Sequence, residues 1–93
     1  MKLEQIIASR CRQKMLLALS KVKRVHVTGL VRMINSTYNQ VKRNLEILEE
    51  EEVVKTTHYA NMIMIELCID NPKTIKLLEA LRAVEAHVRN DEA

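Results

Sequence analysis

Gly29 and Pro72 are the only glycine and the only proline in this 93-residue chain, so almost nothing along it forces the backbone out of regular structure. Phe and Trp are absent and Tyr occurs twice, which leaves the interior without aromatic filler. It must be built from Leu, Ile, Val, Met and Ala, a set that suits helices accompanied by one hairpin. A chain of this length makes one small domain, near the size at which a single core gives modest stability and self-association often helps. The expectation is a mainly α chain with a small β-hairpin (α+β), organised as one domain over 1–93. No apolar run approaches the ~20 residues that cross a bilayer, and the opening MKLEQIIASRCRQK lacks the apolar region of a signal peptide. Cys11 and Cys68 show neither CxxC nor zinc-knuckle spacing, which fits a reducing compartment. A cytoplasmic protein with no membrane partner is expected.

Leu3, Ile6, Ile7, Cys11, Met15, Leu16 and Leu19 recur at helical spacing and predict a first helix over 3–19. The period breaks at KVKRVHV, where Val25-His26-Val27 reads as a short strand. Thr28 is then placed to cap a short helix, Gly29 to Ile34, with Leu30, Val31 and Ile34 as its apolar face. Asn35 follows where a turn needs a left-handed residue. Thr37-Tyr38-Asn39-Gln40 reads as a capping box, Thr37 accepting from the backbone and Gln40 reaching back. Val41, Leu45 and Leu48 mark the buried face of the helix that follows, with Tyr38, Asn39, Lys42, Arg43 and Glu46 opposite. Two β-rich runs, VVKTTH and MIMIELCI, joined by the turn residues YAN, predict a hairpin with Ile63, Ile65, Leu67 and Ile69 on one face. Asn71-Pro72 opens a last helix over 72–90. Its Leu77, Leu81, Val84 and Val88 form a narrow, coiled-coil-like seam.

Helix, short strand, helix, helix, hairpin, helix is the order of a winged helix-turn-helix with a C-terminal dimerisation helix. The stretch VHVTGLVRMINSTYNQVKRNLEILEEEEVV resembles the winged-helix transcriptional regulators of the ArsR-like and MarR-like kind, abundant in bacteria and archaea. The resemblance covers residues 10–69. Such regulators carry (S/T)-x-x-x-V-x-(R/K)-x-L-x-x-L in the recognition helix, matched here by Thr37, Val41, Arg43, Leu45 and Leu48. It implies sequence-specific binding of double-stranded DNA by a homodimeric transcriptional regulator. Three departures stand out. Glu52 replaces the glycine that usually ends the recognition helix, so that end must find another geometry. The wing tip, Thr57 to Asn61, has no arginine, only His58 and nearby Lys55. The cysteine-rich motif of the metal-sensing members is absent from 36–50.

Charge sharpens this reading. Residues 1–45 carry ten Lys/Arg and one acid, Glu4, whereas 46–93 carry five Lys/Arg and eleven acids. Such a split suggests one pole that meets a polyanion; the plainer alternative is pairing of the two halves across one surface. The recognition helix, about 37–51, is charged against its macrodipole, with no acid in its first turn and four glutamates, 49–52, at its end. Phosphates at a free helix N-terminus would supply the missing negative charge, because that part of the second helix enters the major groove. The alternative is a solvated helix whose glutamates pair with Arg10, Arg12 or Lys14.

The DNA-binding candidates on this helix are Thr37, Tyr38, Asn39, Gln40, Lys42 and Arg43. Asn and Gln suit adenine, and Arg forks onto guanine, whereas Lys suits a phosphate. Lys21, Lys23, Arg24 and Arg32 around the preceding helix, with Lys55 and His58 on the wing, complete the set. Dimer contacts are expected from Leu3, Ile6 and Ile7 and from Leu77, Leu81, Val84 and Val88, since that seam is too narrow for burial in so small a domain alone. No glycine-rich phosphate loop, serine with a paired base, or HExxH occurs, so no catalytic residues and no enzyme are expected. His87 with Glu85 and Asp91 lacks a second histidine, and Cys11 and Cys68 read as small hydrophobes, so neither metal nor cofactor is expected. Two other classes stay open: a winged-helix protein-interaction adaptor in a larger assembly, and a non-specific chromatin-type DNA-binding protein.

Overall fold

The apolar run over 3–19 forms two helices rather than one. In the computed structural model, which describes residues 1–92 (of 85–92 the backbone alone), α1 covers Leu3–Ile6 and α2 Arg10–Lys21. Ser9 makes the break, its hydroxyl accepting from the Arg12 N–H at 3.3 Å as the cap of α2. Side chains of α2 then donate to carbonyls at the end of α1 and in the turn that follows. Arg12 donates from Nε to the Ile6 carbonyl at 2.7 Å and from Nη2 to that of Gln5 at 2.9 Å, and Gln13 donates to Ile7. The helical period survives the break because Ile6, Met15, Leu16 and Leu19 all enter one core.

After α2 the chain forms β1, Val25–His26, and α3, Val27–Met33. The cap of α3 is His26, not Thr28: its Nδ1 accepts from the Thr28 N–H at 3.2 Å and lies 2.6 Å from the Thr28 hydroxyl. Gly29 sits where α3 approaches β1, and a Cβ there would lie 3.1 Å from a methyl of Val25. Asn35 ends α3 in the left-handed conformation expected of it, φ 53°. Its N–H donates to Arg32 and that of Ser36 to Val31, the paired bonds of a Schellman motif.

Helix α4, Tyr38–Glu50, ends the same way. Glu52 donates to Glu49 and Val53 to Leu48, both at 3.0 Å, with Glu52 itself left-handed at φ 59°. The geometry usual for glycine is therefore kept without one, correcting the expectation of another helix end. Asn71 holds it there, its Nδ2 donating to the Glu52 carbonyl at 2.9 Å.

Strands β2, Val54–Tyr59, and β3, Met62–Leu67, make the hairpin. Two residues link them, Ala60-Asn61, rather than three, with Ala60 at φ 51°. β1 pairs with the other side of β3, so a three-stranded antiparallel sheet of order β1-β3-β2 replaces the lone hairpin. Ile65 is fully buried, and Ile63 and Leu67 pack against the core. Ile69 does not continue that face: the strand stops at Leu67, the Cys68 N–H turns to the Val53 carbonyl, and Ile69 is 70% exposed.

Helix α5, Pro72–Glu92, starts under Asn71, whose Oδ1 accepts from the Lys73 N–H at 3.0 Å. Thr74 is fully buried and donates to the Val53 carbonyl, pinning the helix to the end of α4. Leu77 and Leu81 are 1% and 2% exposed within the single chain. They enter the same core as Ile6, Val41, Leu45 and Leu48, where each fully buried aliphatic side chain contributes roughly 1.5–3 kcal/mol. The seam is thus covered by its own domain, against the expectation for Leu77 and Leu81, and Ile6 is sealed in with them. Of the other residues expected at a dimer contact, Leu3 and Ile7 are half-buried, Val84 is 51% exposed, and Val88 lies outside the described side chains. No described helix is long and apolar enough to cross a membrane.

Candidate nucleic-acid interface

The turn between α3 and α4 fixes how α4 is presented. Thr37 caps it, accepting from the Gln40 N–H at 3.2 Å. The second half of the expected capping box is not made, because the Gln40 side chain accepts instead from the Ser36 hydroxyl at 2.9 Å. One turn on, Asn44 donates to the Gln40 carbonyl and accepts from Arg12 Nη1, both at 2.8 Å. Arg12, weighed from sequence as a partner for glutamates, instead ties α4 to the α1–α2 junction. Neither Arg12 nor Asn44 carries a sequence signal for this role, since their contact spans 32 positions.

With Val41, Leu45 and Leu48 buried, the ~100° step per residue of a helix puts Asn39, Arg43, Glu46 and Glu50 along the opposite, solvent-facing line. All four are exposed. Tyr38, 46% exposed, and Lys42, half-buried, flank that line rather than share it. Asn39 and Arg43 make no side-chain hydrogen bond or ion pair among the described residues, so both forks face outward unengaged.

The glutamates gather towards the far end, exposed except for half-buried Glu51. Among the described residues the ion pairs are Glu51 with Lys73, at 3.0 Å, and with the N-terminal ammonium, at 3.4 Å. Lys73 and the ammonium hold the Glu51 carboxyl below its usual range. Glu49 accepts from the Thr56 hydroxyl. Pairing with Arg10, Arg12 or Lys14 is not seen. No acid occurs over 5–45 or over 53–65, whereas Glu46 to Glu52 cluster towards the last turn of α4, and Glu66 and Asp70 lie at the base of β3.

The remaining cationic candidates do not form one patch. Arg32 shares the outer face of α3 with Thr28, opposite buried Val27 and Leu30. Lys21 lines a hollow of about 360 Å³ with Lys14, Met33 and Asn35, where α2 meets the end of α3. Lys23 lines a different one of about 310 Å³, with Leu78 and Arg82 of α5, and so stands apart from the α3–α4 surface. Arg24, Lys55 and His58 are exposed. Cys11 is a free thiol 3.9 Å from Met15 Sδ and 4.0 Å from the Ser36 hydroxyl. Cys68 is also free, and burial pushes its thiol up. Among the described residues no group of His, Cys, Asp and Glu is arranged to hold a metal. Glu85, His87 and Asp91 lie outside the described side chains.

No protein-family model and no curated protein matches this sequence. Solved structures do. The AntR antimony-specific transcriptional repressor aligns with 97% of this chain and 77% of its own, at a TM-score of 0.82 and 20% identity. The transcriptional repressor BigR from Xylella fastidiosa aligns over 88% of this chain and 81% of its own, at a TM-score of 0.75 and 21% identity. The homodimeric winged helix-turn-helix DNA-binding domain Mb0332 from Mycobacterium bovis covers 95% of this chain and 80% of its own, at a TM-score of 0.73 and 13% identity. At such identities the likeness establishes the fold, a winged helix-turn-helix in which α3 and α4 are the motif and β2–β3 the wing.

Proposed function

We propose that this winged helix-turn-helix binds double-stranded DNA sequence-specifically, as a homodimeric transcriptional regulator with the first two turns of α4 in the major groove. One observation carries the reading: the acid-free start of α4 presents Asn39 and Arg43 outward, unengaged among the described residues, after a turn capped by Thr37. Arg43 reads guanine and Asn39 adenine, while Lys42 on the flank meets phosphate. Thr37, Tyr38 and Gln40 line the entry to the groove, with Gln40 partly committed to Ser36. Arg32, Lys21 and Arg24 add positive potential around α3, and Lys55 and His58 extend it to the wing.

The repressors AntR and BigR share this architecture, and the homodimeric state of the Mb0332 domain supports the same state here. With Ile6, Leu77 and Leu81 used internally, the dimer contact is formed by Leu3 and Ile7 of α1 with the exposed Val84 side of α5. The protein acts as a binding module of one domain in the cytoplasm, with no catalytic step.

Enrichment of bound duplexes from a random pool tests this. A two-fold dimer selects an inverted repeat with half-sites about 10 bp apart or a multiple of that. Retained duplex without any enriched sequence, lost steeply with salt, supports the chromatin-type reading instead. No retained duplex leaves the adaptor.

A further inference from the structure

Arg12 bonds to α1 and to α4 at once. Its Nε and Nη2 donate to the carbonyls of Ile6 and Gln5, at 2.7 and 2.9 Å, while Nη1 donates to Asn44 Oδ1 at 2.8 Å. Among the described residues no carboxylate pairs with it, so its charge rests on three neutral oxygens. The planar fork of arginine fits that arrangement, and the single ammonium of lysine does not. α1 is four residues long and sends only Ile6 fully into the core, so polar bonds carry much of its attachment. On α4, Asn44 lies on the flank between the buried line of Val41, Leu45 and Leu48 and the outward line of Asn39 and Arg43. Its Nδ2 extends the connection by donating to the Gln40 carbonyl, one turn nearer the start of the helix.

Apolar packing is not directional, so the buried face of α4 resists leaving the core more than it resists rotation about the helix axis. A bond on the flank resists that rotation. A roll of about 10° carries a side-chain tip, roughly 5–6 Å from the axis, through about 1 Å, enough to misplace a guanidinium fork on a base edge. For a single domain such a roll matters little, because the whole domain turns to follow the groove. Two domains joined as a dimer lack that freedom, since both copies of α4 must meet their half-sites together. We infer that Arg12 and Asn44 are positioning residues that couple the dimer contact on α1 to base reading by α4, and so set the half-site spacing that the dimer accepts. The coupling rests on the DNA-binding and homodimer reading above. It can be no stronger than the bond that carries it, one hydrogen bond to a charged group, which corresponds to on the order of tenfold in affinity.

The test compares the full chain with Asn44→Ala, with the Arg12→Ala/Asn44→Ala double variant and with Leu67→Ala. Leu67 packs against the core at the base of the sheet, so its truncation lowers stability without touching the link and serves as the control. Binding is measured by fluorescence anisotropy, well below the unfolding temperature of each variant. The duplexes are the inverted repeat selected by the wild type, its isolated half-site, and repeats whose spacer is lengthened or shortened in single base-pair steps. Asn44→Ala is expected to bind the selected repeat about tenfold more weakly, with half-site affinity within about twofold of wild type and a flattened preference among spacings. Sedimentation gives it the wild-type dimer affinity, because Asn44 is not part of the dimer contact. The double variant flattens the preference no further, since both changes act through one contact. Leu67→Ala keeps the wild-type preference. Equal losses on repeat and half-site, an unaltered spacing preference in Asn44→Ala, or the same flattening in Leu67→Ala overturns the coupling and leaves the bond a structural one. A wild type that selects only isolated half-sites, or retains no duplex, removes the coupling together with the reading beneath it. A wild type that selects a spaced repeat, matched by Asn44→Ala, sinks the coupling alone.

Discussion

Replacing Glu52 by glycine should stabilise the protein. Glu52 holds φ 59° at the end of α4, a conformation that costs a residue with a Cβ about 1–2 kcal/mol. Glycine adopts it freely but gives back roughly 0.5–1 kcal/mol through its greater freedom in the unfolded chain. The bonds that define this turn are made by backbone atoms, including the carbonyl that accepts from Asn71, and they survive the change. Removing one carboxylate from a run of four adds in the same direction. The net gain is about 0.5–1 kcal/mol, which for a domain of this size raises Tm by roughly 2–8 °C. Thermal unfolding followed by circular dichroism, at matched protomer concentration, measures it. Glu52→Ala is the control, since it removes the same charge and keeps the Cβ. A Tm below wild type for Glu52→Gly, or equal gains for the two variants, would refute the assignment of strain to this position.

Three further outcomes follow from packing and charge. Arg12→Ala, which loses the bonds to Gln5, Ile6 and Asn44, should lower stability by about 2 kcal/mol in urea unfolding; an unchanged midpoint contradicts the anchoring role. Leu81→Asp should unfold the chain, whereas Val84→Asp should leave it folded but monomeric in sedimentation, because the first is sealed in the protomer's core and the second is exposed. If both variants stay dimeric, α5 is not at the interface. The Glu51 carboxyl is lowered by Lys73, so its contribution is present above the ordinary carboxylate pKa and fades as pH falls through the depressed one. Glu51→Gln should therefore be less stable than wild type at neutral pH and equal to it in strong acid, and a gap that persists in acid counts against the pairing.

The helix-turn-helix was readable because its signals are local. Thr37 is a strong cap, Asn35 tolerates a left-handed turn, and Val41, Leu45 and Leu48 keep one period, so each pointed to the structure that formed. The failures share a different cause. Ser9 interrupts a helix whose apolar spacing runs on unbroken, and what stabilises the break is an arginine reaching back from the next helix. His26 caps α3 although histidine is rarely favoured there, while the better cap, Thr28, was two residues inside the helix. Glu52 takes a glycine's place because Asn71, far along the chain, holds its carbonyl. The α5 seam shows the same limit: periodicity identifies Leu77 and Leu81 as buried but does not say whether their own domain or a second copy covers them. At the candidate interface, Asn39 and Arg43 were legible from the helical wheel. The same wheel puts Lys42 on the flank rather than on the opposite face expected for it, whereas the siting of Lys23 towards α5 came only with tertiary packing.

Whether α4 reads bases is decided by substituting Arg43. Affinity and base preference of Arg43→Ala should be measured on a panel of single-base variants of the selected site, beside Lys42→Ala. Arg43→Ala should lose about 1–3 kcal/mol and relax preference at one base pair of each half-site. Lys42→Ala should weaken every duplex alike and lower the salt slope by about one unit per site. An Arg43→Ala protein with unaltered affinity and unaltered preference would contradict the claim that this helix lies in the major groove.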